Sequence, residues 1–308
     1  MIFLKEKTVK KIFSVLCALI VAISLTLTVT GCGEEETIYN SENSWDDDGV
    51  LRILAVGNSF SVDSMEYVYK IAKAMGVEKV ELGNLYIGGC TLETHLENAQ
   101  KGYKLYAYYY ADDCEELSIK ATSKYSTAIE DSTWDFITFQ QGSEFSGIAD
   151  SYSSLTDLIE ITKPLCKNPN VKFAWHMTWA YQGDSKHEGF TKYDRNQTTM
   201  YQAIVSAVQS KIVANSDISY IIPNGTAIQN ARTSYLGDTL TRDGHHLSYD
   251  KGRLIAGFTT LASLIGMKYD KLDFAKIVGD EKFAKVVKES VKNAIDSPFS
   301  VTNSQITA

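Results

Sequence analysis

The chain has 308 residues, a formal net charge of −8 at pH 7 and a hydrophobic fraction of 44%. This acidic balance argues against a nucleic-acid partner and against electrostatic adhesion to anionic lipid. About 250 residues remain after the first fifty, which is enough for one sizeable domain. No Pro/Gly-rich linker or internal repeat divides them, so we expect a single domain.

The N-terminus has the layout of a secretory signal. Four lysines lie within the first eleven residues, and an apolar stretch follows over residues 12–29. The stretch closes on Thr30-Gly31-Cys32, which resembles a bacterial lipobox. A basic start, an apolar run and small residues predict a signal peptide over residues 1–31, removed on export. Acylation of Cys32 would then anchor the protein outside the cytoplasm, with the lipid as its only membrane contact. The alternative is a transmembrane anchor, since the stretch is close to the minimum spanning length.

The next segment, residues 32–49, is polar and acidic and has almost no apolar side chains to bury. Such a composition is typical of a flexible tether. We therefore place the folded domain at residues 50–308. It contains three cysteines, Cys90, Cys114 and Cys166. Their spacing specifies no disulfide.

Short apolar runs alternate with longer amphipathic ones along this domain. The pattern predicts strands at residues 51–56, 79–86, 135–139, 171–175 and 218–222. It predicts helices at residues 62–75, 92–109, 154–166, 197–214, 252–265 and 281–294. Continuous apolar strands that alternate with helices are typical of parallel strands covered on both faces. We expect a three-layer α/β/α domain with a doubly wound, parallel, five-stranded sheet, and a ligand site beyond the carboxyl ends of its strands.

A candidate nucleophile follows the first predicted strand, in Gly57-Asn58-Ser59-Phe60-Ser61. A serine at a strand-to-helix junction lies at the positive end of the helix, where backbone N–H groups can meet an oxyanion. The Gly-x-Ser-x-Gly elbow is not matched, because Ser61 stands in place of the second glycine. The alternative is that Ser59 simply caps the helix or lies in a common turn.

A base and its orienting acid are offered together by Asp243-Gly244-His245-His246. A serine hydroxyl needs a base, and the base needs a third group to orient it. An Asp-x-x-His spacing in a loop can place a carboxylate beside an imidazole. We therefore predict Ser59, His246 and Asp243 as a catalytic triad. There are two alternatives. His245 could be the base, or Asp243, His245 and His246 could bind a metal.

With these two segments the chain resembles the SGNH (GDSL-type) hydrolases, in particular their branch of exported bacterial proteins labelled DUF4886. Gly57-Asn58-Ser59 matches the first block of that family, with Asn58 in place of the usual Asp. Gly88-Gly89-Cys90 matches the second, and Asp243-x-x-His246 the last. The resemblance implies a flavodoxin-like SGNH fold and ester hydrolysis that needs no cofactor or metal.

The resemblance also implies an oxyanion hole made by the N–H groups of Ser59 and Gly89 with a third donor. The family's third block usually carries an Asn, whereas this chain has Gln140-Gln141-Gly142. A glutamine amide can donate the same hydrogen bond, so Gln141 is the predicted third donor. Its alternative role is to satisfy loop backbone at the end of a strand.

The substrate predicted on this basis is a small-molecule or glycan ester, with the O-acetyl group of an extracellular carbohydrate first. Asn58 and Trp179 are predicted to contact it, the latter because aromatic rings stack on sugars. Loop packing is the alternative for Trp179. Two other functions stay open: a glycan-binding lipoprotein that has lost catalysis, and a lipase or thioesterase.

Overall fold

A sheet of seven strands runs through the computed structural model, which describes Trp45 and residues 48–307. The predicted signal peptide, Cys32 and most of the predicted tether lie outside the described residues. The strands are β1 (Val50–Gly57), β2 (Lys79–Tyr86), β3 (Tyr106–Asp112), β4 (Ser118–Ser123), β5 (Phe136–Phe139), β6 (Lys172–His176) and β7 (Ile218–Ile222). Their order across the sheet is β4-β3-β2-β1-β5-β6-β7.

Five of these strands are parallel and correspond to the five predicted ones. β1 pairs with β2 from Val50 opposite Lys79 to Gly57 opposite Tyr86, and on its other side it pairs with β5. β5, β6 and β7 continue the parallel order. β1 and β5 are almost entirely buried, as expected for strands that are covered on both faces. The parallel, doubly wound core is confirmed.

The helices lie on the two faces of this sheet. They are α1 (Ser59–Met65), α2 (Val68–Ala74), α3 (Leu92–Lys101), α4 (Tyr125–Ile129), α5 (Leu155–Thr162), α6 (Gln197–Lys211), α7 (Asn224–Arg232), α8 (Gly252–Leu264), α9 (Phe274–Val278) and α10 (Glu281–Asp296). On one side α8 packs against α1, α2, α7 and α10, and on the other α3 packs against α4 and α5. None of the helices described here is long and apolar enough to cross a membrane.

The sheet is larger than predicted because two antiparallel strands extend it beyond β2. β3 pairs with β2, and β4 pairs with β3. The predicted helix over residues 92–109 is therefore wrong beyond Lys101, where Gly102 ends α3 in the left-handed conformation with φ +62°. The predicted helix over residues 62–75 is two helices, α1 and α2. The sheet is mixed, with a parallel core and an antiparallel edge.

Candidate active site

The structure brings the three predicted triad residues together at the carboxyl end of β1. His246 Nε2 lies 2.8 Å from Ser59 Oγ, and His246 Nδ1 lies 2.6 Å from Asp243 Oδ2. With Nδ1 protonated, the imidazole donates to the carboxylate and accepts the serine hydroxyl proton. This is the geometry in which a histidine can act as a general base toward serine.

Ser59 owes its position to the junction between β1 and α1. β1 ends at Gly57, and Ser59 is the first residue of α1. A side chain at Gly57 would collide with its surroundings, because a Cβ there would lie 2.6 Å from Ser61 Oγ and 2.9 Å from Gln140 Oε1. Glycine therefore lets the segment turn tightly over the end of the strand.

Asn58 anchors this junction from below and is almost fully buried, at 1% exposure. Its Oδ1 accepts hydrogen bonds from Phe60 N at 3.0 Å and from Gln140 Nε2 at 2.8 Å, and its Nδ2 donates to Cys90 O at 3.0 Å. The prediction that Asn58 contacts substrate is wrong, because the side chain is enclosed and engaged on both amide atoms. An Asp at this position could not donate to Cys90 O.

The same network continues to a buried histidine, His176. His176 Nδ1 lies 3.0 Å from Gln140 Oε1, so His176, Gln140 and Asn58 form a buried chain beneath the nucleophile. Burial lowers the pKa of His176 to about 3, which keeps the imidazole neutral. A neutral ring can donate to Gln140 Oε1 without placing a charge under Ser59.

A buried carboxylate that the sequence did not reveal holds the loop of His245 and His246 against α1. Asp63 is fully buried and lies four residues after Ser59, hence on the same face of α1. It accepts from the backbone N–H of Leu247 at 2.7 Å. It also pairs with Arg242 at 3.0 Å and Arg253 at 2.6 Å. One helix turn thus fixes both the nucleophile and the segment that carries its base.

Trp179 supports the loop from the opposite side. Its ring is fully buried and stacks on Phe60, with the ring centroids 4.1 Å apart. Its Nε1 donates to His245 O at 2.7 Å. The prediction that Trp179 stacks on a sugar is wrong, because both its faces and its polar atom are used inside the protein. The packing alternative is the correct one.

The backbone amides predicted for the oxyanion hole are those of Ser59 and Gly89. Ser59 N lies in the first turn of α1, where helical N–H groups have no partner within the helix. Gly89 is exposed and left-handed, with φ +64° and open space around it. Neither N–H forms a hydrogen bond within residues 48–307. Both are therefore available as donors.

Gln141 is fully occupied elsewhere. Its Nε2 donates to Ser151 O at 2.7 Å and Ser151 Oγ at 3.0 Å. Its Oε1 accepts from Leu92 N at 3.0 Å and Gly142 N at 2.7 Å. The predicted oxyanion role of Gln141 is wrong, because no donor remains. The side chain instead satisfies loop backbone, which was the alternative.

Asp243 carries the negative charge of the site. Partial burial opposes its ionisation, but hydrogen bonds from the His246 side chain and from the backbone N–H groups of His246 and His245 hold its pKa at about 2. Asp243 is therefore a carboxylate at neutral pH and can stabilise the imidazolium that forms when His246 takes a proton.

His245 is part of both alternatives to the triad, either as the base or as a metal ligand. Its ring lies 4.0 Å from that of His246, centroid to centroid, but it is His246 that reaches Ser59. Ligand atoms of Asp243, His245 and His246 lie within 4.8 Å of one another, so these three side chains are the ones in this loop that could approach a cation. Such an ion would compete with the hydrogen bond between Asp243 and His246.

The family follows from comparison with known proteins. The model of DUF4886, a domain of unknown function, matches residues 52–294. The crystal structure of a DUF4886 family protein from Bacteroides uniformis is 37% identical, covers 82% of this chain and 98% of its own, and has a TM-score of 0.78. The chain belongs to the DUF4886 family. A comparison with curated proteins gave no match.

More distant structures share less of the fold. A catalytic mutant of Axe2, an acetylxylan esterase from Geobacillus stearothermophilus, is 12% identical over 74% of this chain and 94% of its own, with a TM-score of 0.43. LAE5, an α/β hydrolase from the metagenome of Lake Arreo, is 10% identical over 68% and 93%, with a TM-score of 0.41. Similarity of this degree carries no argument about activity.

Proposed function

We propose that this protein is a serine esterase that works through Ser59, His246 and Asp243. The observation that carries the proposal is the pair of hydrogen bonds that joins the three side chains, at 2.8 Å and 2.6 Å. A partly buried serine at a helix start with a bonded imidazole and an ionised acid is the arrangement that activates a hydroxyl for acyl transfer.

In the first half of the reaction Ser59 Oγ attacks the ester carbonyl carbon while His246 Nε2 takes its proton. The carbonyl π electrons move to oxygen, and the N–H groups of Ser59 and Gly89 stabilise the oxyanion. Asp243 stabilises the imidazolium. The oxyanion then re-forms the carbonyl, the bond to the alcohol oxygen breaks, and His246 returns the proton to the leaving alcohol.

The second half releases the acyl group. Water attacks the acyl carbon of the ester on Ser59, and His246 Nε2 accepts a proton from it. The tetrahedral intermediate collapses, Ser59 Oγ leaves, and His246 gives the proton back to it. The acid product departs, and the residues return to their starting state. No cofactor enters these steps.

For the substrate we propose an O-acetyl group on an extracellular carbohydrate. This part rests on the resemblance to SGNH hydrolases and on the predicted export signal. Gln141 adds no support, because its side chain has a structural role. The alternatives are an inactive glycan-binding protein and a lipase or thioesterase.

A fluorophosphonate probe, which reacts with activated serines, tests the enzyme proposal. We expect labelling of the wild type and of Ser300→Ala, which changes an exposed serine near the C-terminus, and no labelling of Ser59→Ala. Hydrolysis of p-nitrophenyl acetate should fall at least about 10³-fold in Ser59→Ala. Labelling that persists in Ser59→Ala, or its absence from the wild type, would contradict the proposal.

Turnover of different esters then ranks the substrates. Acetylated xylan, p-nitrophenyl acetate and long-chain p-nitrophenyl esters separate the carbohydrate, small-ester and lipid alternatives. Activity confined to long acyl chains would exclude the carbohydrate proposal. Labelling without turnover of any ester would direct attention to another acyl group.

Export and lipid anchoring through Cys32 are a separate proposal. Metabolic labelling with palmitate in a bacterial host should mark the full chain and not Cys32→Ala. A chain that is exported and anchored equally well with Cys32→Ala would instead support the transmembrane alternative.

A further inference from the structure

A cavity of about 280 Å³ lies between α1 and the strands that extend the sheet. Val62 and Met65 of α1 form one wall, and Asn84 of β2 and Tyr109 of β3 form another. The loop between β3 and β4 closes the third side with Glu115 and Glu116. The antiparallel addition to the sheet therefore supplies half of the residues that line this cavity.

The cavity adjoins the nucleophile along α1. Val62 follows Ser59 by one helix turn and lies on the neighbouring face. Ser61 Oγ contacts Asn84 Oδ1 at 2.9 Å, so the floor of the cavity is tied to the nucleophile segment.

A second line of contacts approaches the cavity from the oxyanion side. The rings of Tyr86 and Tyr109 pack edge to face, with centroids 5.8 Å apart. Tyr86 OH lies 3.2 Å from where a Cβ on Gly88 would be, and Gly88 precedes the oxyanion donor Gly89. The cavity is therefore in contact with the segments that carry Ser59 and Gly89.

The lining suits a sugar. Tyr109 offers an apolar ring with a polar hydroxyl at its tip. Asn84 is 1% exposed, and its Nδ2 forms no hydrogen bond within the described chain, so this amide is a donor for a hydroxyl. The volume is slightly below the range of drug-sized pockets, which fits one ring and not a long chain.

The negative charge of the lining disfavours sugars that carry a carboxylate. Glu66 is paired with Arg253 at 3.2 Å. Glu115 and Glu116 are exposed and form no ion pair with any residue of the described chain. Two unbalanced carboxylates repel a third negative charge that enters the same cavity.

We propose that this cavity binds the sugar ring of the alcohol half of the ester, and that it selects rings without a carboxylate. The inference rests on the proposed esterase activity and adds to it the class of alcohol. Glu115 and Glu116 act as specificity determinants that reject uronate esters.

Two matched substrates test the selection: the mono-O-acetyl esters of methyl xyloside and of methyl glucuronoside, which differ by one carboxylate. At low ionic strength the wild type should favour the neutral ester in kcat/KM by about tenfold. The double variant Glu115→Lys/Glu116→Lys should lower this preference by about tenfold or reverse it, through KM. Added salt should shrink the difference.

The controls separate this inference from the proposed function. Glu130→Lys changes an exposed carboxylate at the end of α4, outside the cavity, and should keep the wild-type preference. p-Nitrophenyl acetate reports the triad, and Glu130→Lys should hydrolyse it at the wild-type rate. Fluorophosphonate labelling of the double variant shows that its triad is intact. An unchanged preference in the double variant overturns the inference while leaving the esterase intact. Failure of the wild type to hydrolyse any ester overturns both.

Discussion

The two segments that carry the proposed triad are held in different ways. Residues 57–61, the nucleophile segment, lie over a buried network in which Asn58 alone makes three hydrogen bonds. Residues 243–248, the base loop, lie nearer the surface, with Leu247 alone of the six fully buried and 42% of the Asp243 side chain exposed. Besides several backbone hydrogen bonds, the base loop has contacts with the side chains of Asp63 and Trp179. We therefore expect a single substitution to cause a larger loss when it affects the base loop than when it affects the nucleophile segment.

The largest effect is expected from Asp243→Asn. The amide would present N–H to His246 Nδ1 and favour the tautomer protonated on Nε2, which cannot take the proton from Ser59. We expect kcat for p-nitrophenyl acetate to fall by roughly 10³–10⁴-fold with little change in stability. Asp250→Asn, an exposed change just after the base loop, should keep full activity. Retention of more than a tenth of the activity in Asp243→Asn would remove Asp243 from the triad.

The next effect tests the contact between the two segments. Asp63→Asn removes the charge opposite Arg242 and Arg253 and leaves two cations without their shared partner. Breaking a buried ion pair costs about 3–5 kcal/mol, so the free energy of unfolding in urea should fall by that amount. The activity should fall as well, because Leu247 N loses part of its hold on the base loop.

A matched control is Asp270→Asn, which breaks an exposed pair with Lys288. Exposed pairs contribute about 0–1 kcal/mol. If the two variants lose equal stability, Asp63 does not anchor the base loop as the comparison requires.

Much of the fold could be predicted because each parallel strand is a short apolar run between helices. The antiparallel edge could not be read by that rule. β3 is rich in tyrosine, and Tyr106 and Tyr108 are buried while Tyr109 and Tyr110 are only partly so. The predicted helix over residues 92–109 therefore runs into this strand. Gly102 was the available signal, since a glycine there can end α3.

The triad could be predicted because Asp243 and His246 are three residues apart and their chemistry requires a serine. The contacts that hold the triad residues in place could not be predicted. Asp63 meets Leu247 across 184 positions of sequence, and Gln140 meets Asn58 across 82. Gln141 shows a further difficulty: residue type offers a donor, but only the contacts reveal that both amide atoms are used.

A smaller effect is expected in the nucleophile segment from Asn58→Asp. The carboxylate can still accept from Phe60 N and Gln140 Nε2, but Cys90 O loses its donor. A buried acceptor left without a partner costs about 1–3 kcal/mol, which urea unfolding would measure. Asn170→Asp, in an exposed loop, should change stability by no more than about 0.5 kcal/mol. An Asn58→Asp protein as stable as the wild type would mean that the network does not need this amide.

The smallest effect that we expect is a pH dependence of stability that arises from His176, beneath the nucleophile segment. Burial lowers the pKa of His176 to about 3, whereas an unfolded histidine titrates near pH 6.5. Below pH 6.5 the unfolded chain therefore binds the proton that the folded protein refuses, and stability falls as the pH falls. The loss from this group reaches at most about 1.4 kcal/mol per pH unit. It continues until the folded pKa is reached.

Urea unfolding of the wild type and of His176→Gln at pH 6.5 and 5.5 isolates this contribution. Glutamine keeps a donor for Gln140 Oε1 but does not titrate, so the variant should lose less stability between the two pH values. His95, whose pKa burial also lowers to about 3, and Asp135, whose pKa burial raises to about 6, titrate in both proteins and cancel in the comparison. Equal losses in the two proteins would mean that folding does not lower the pKa of His176.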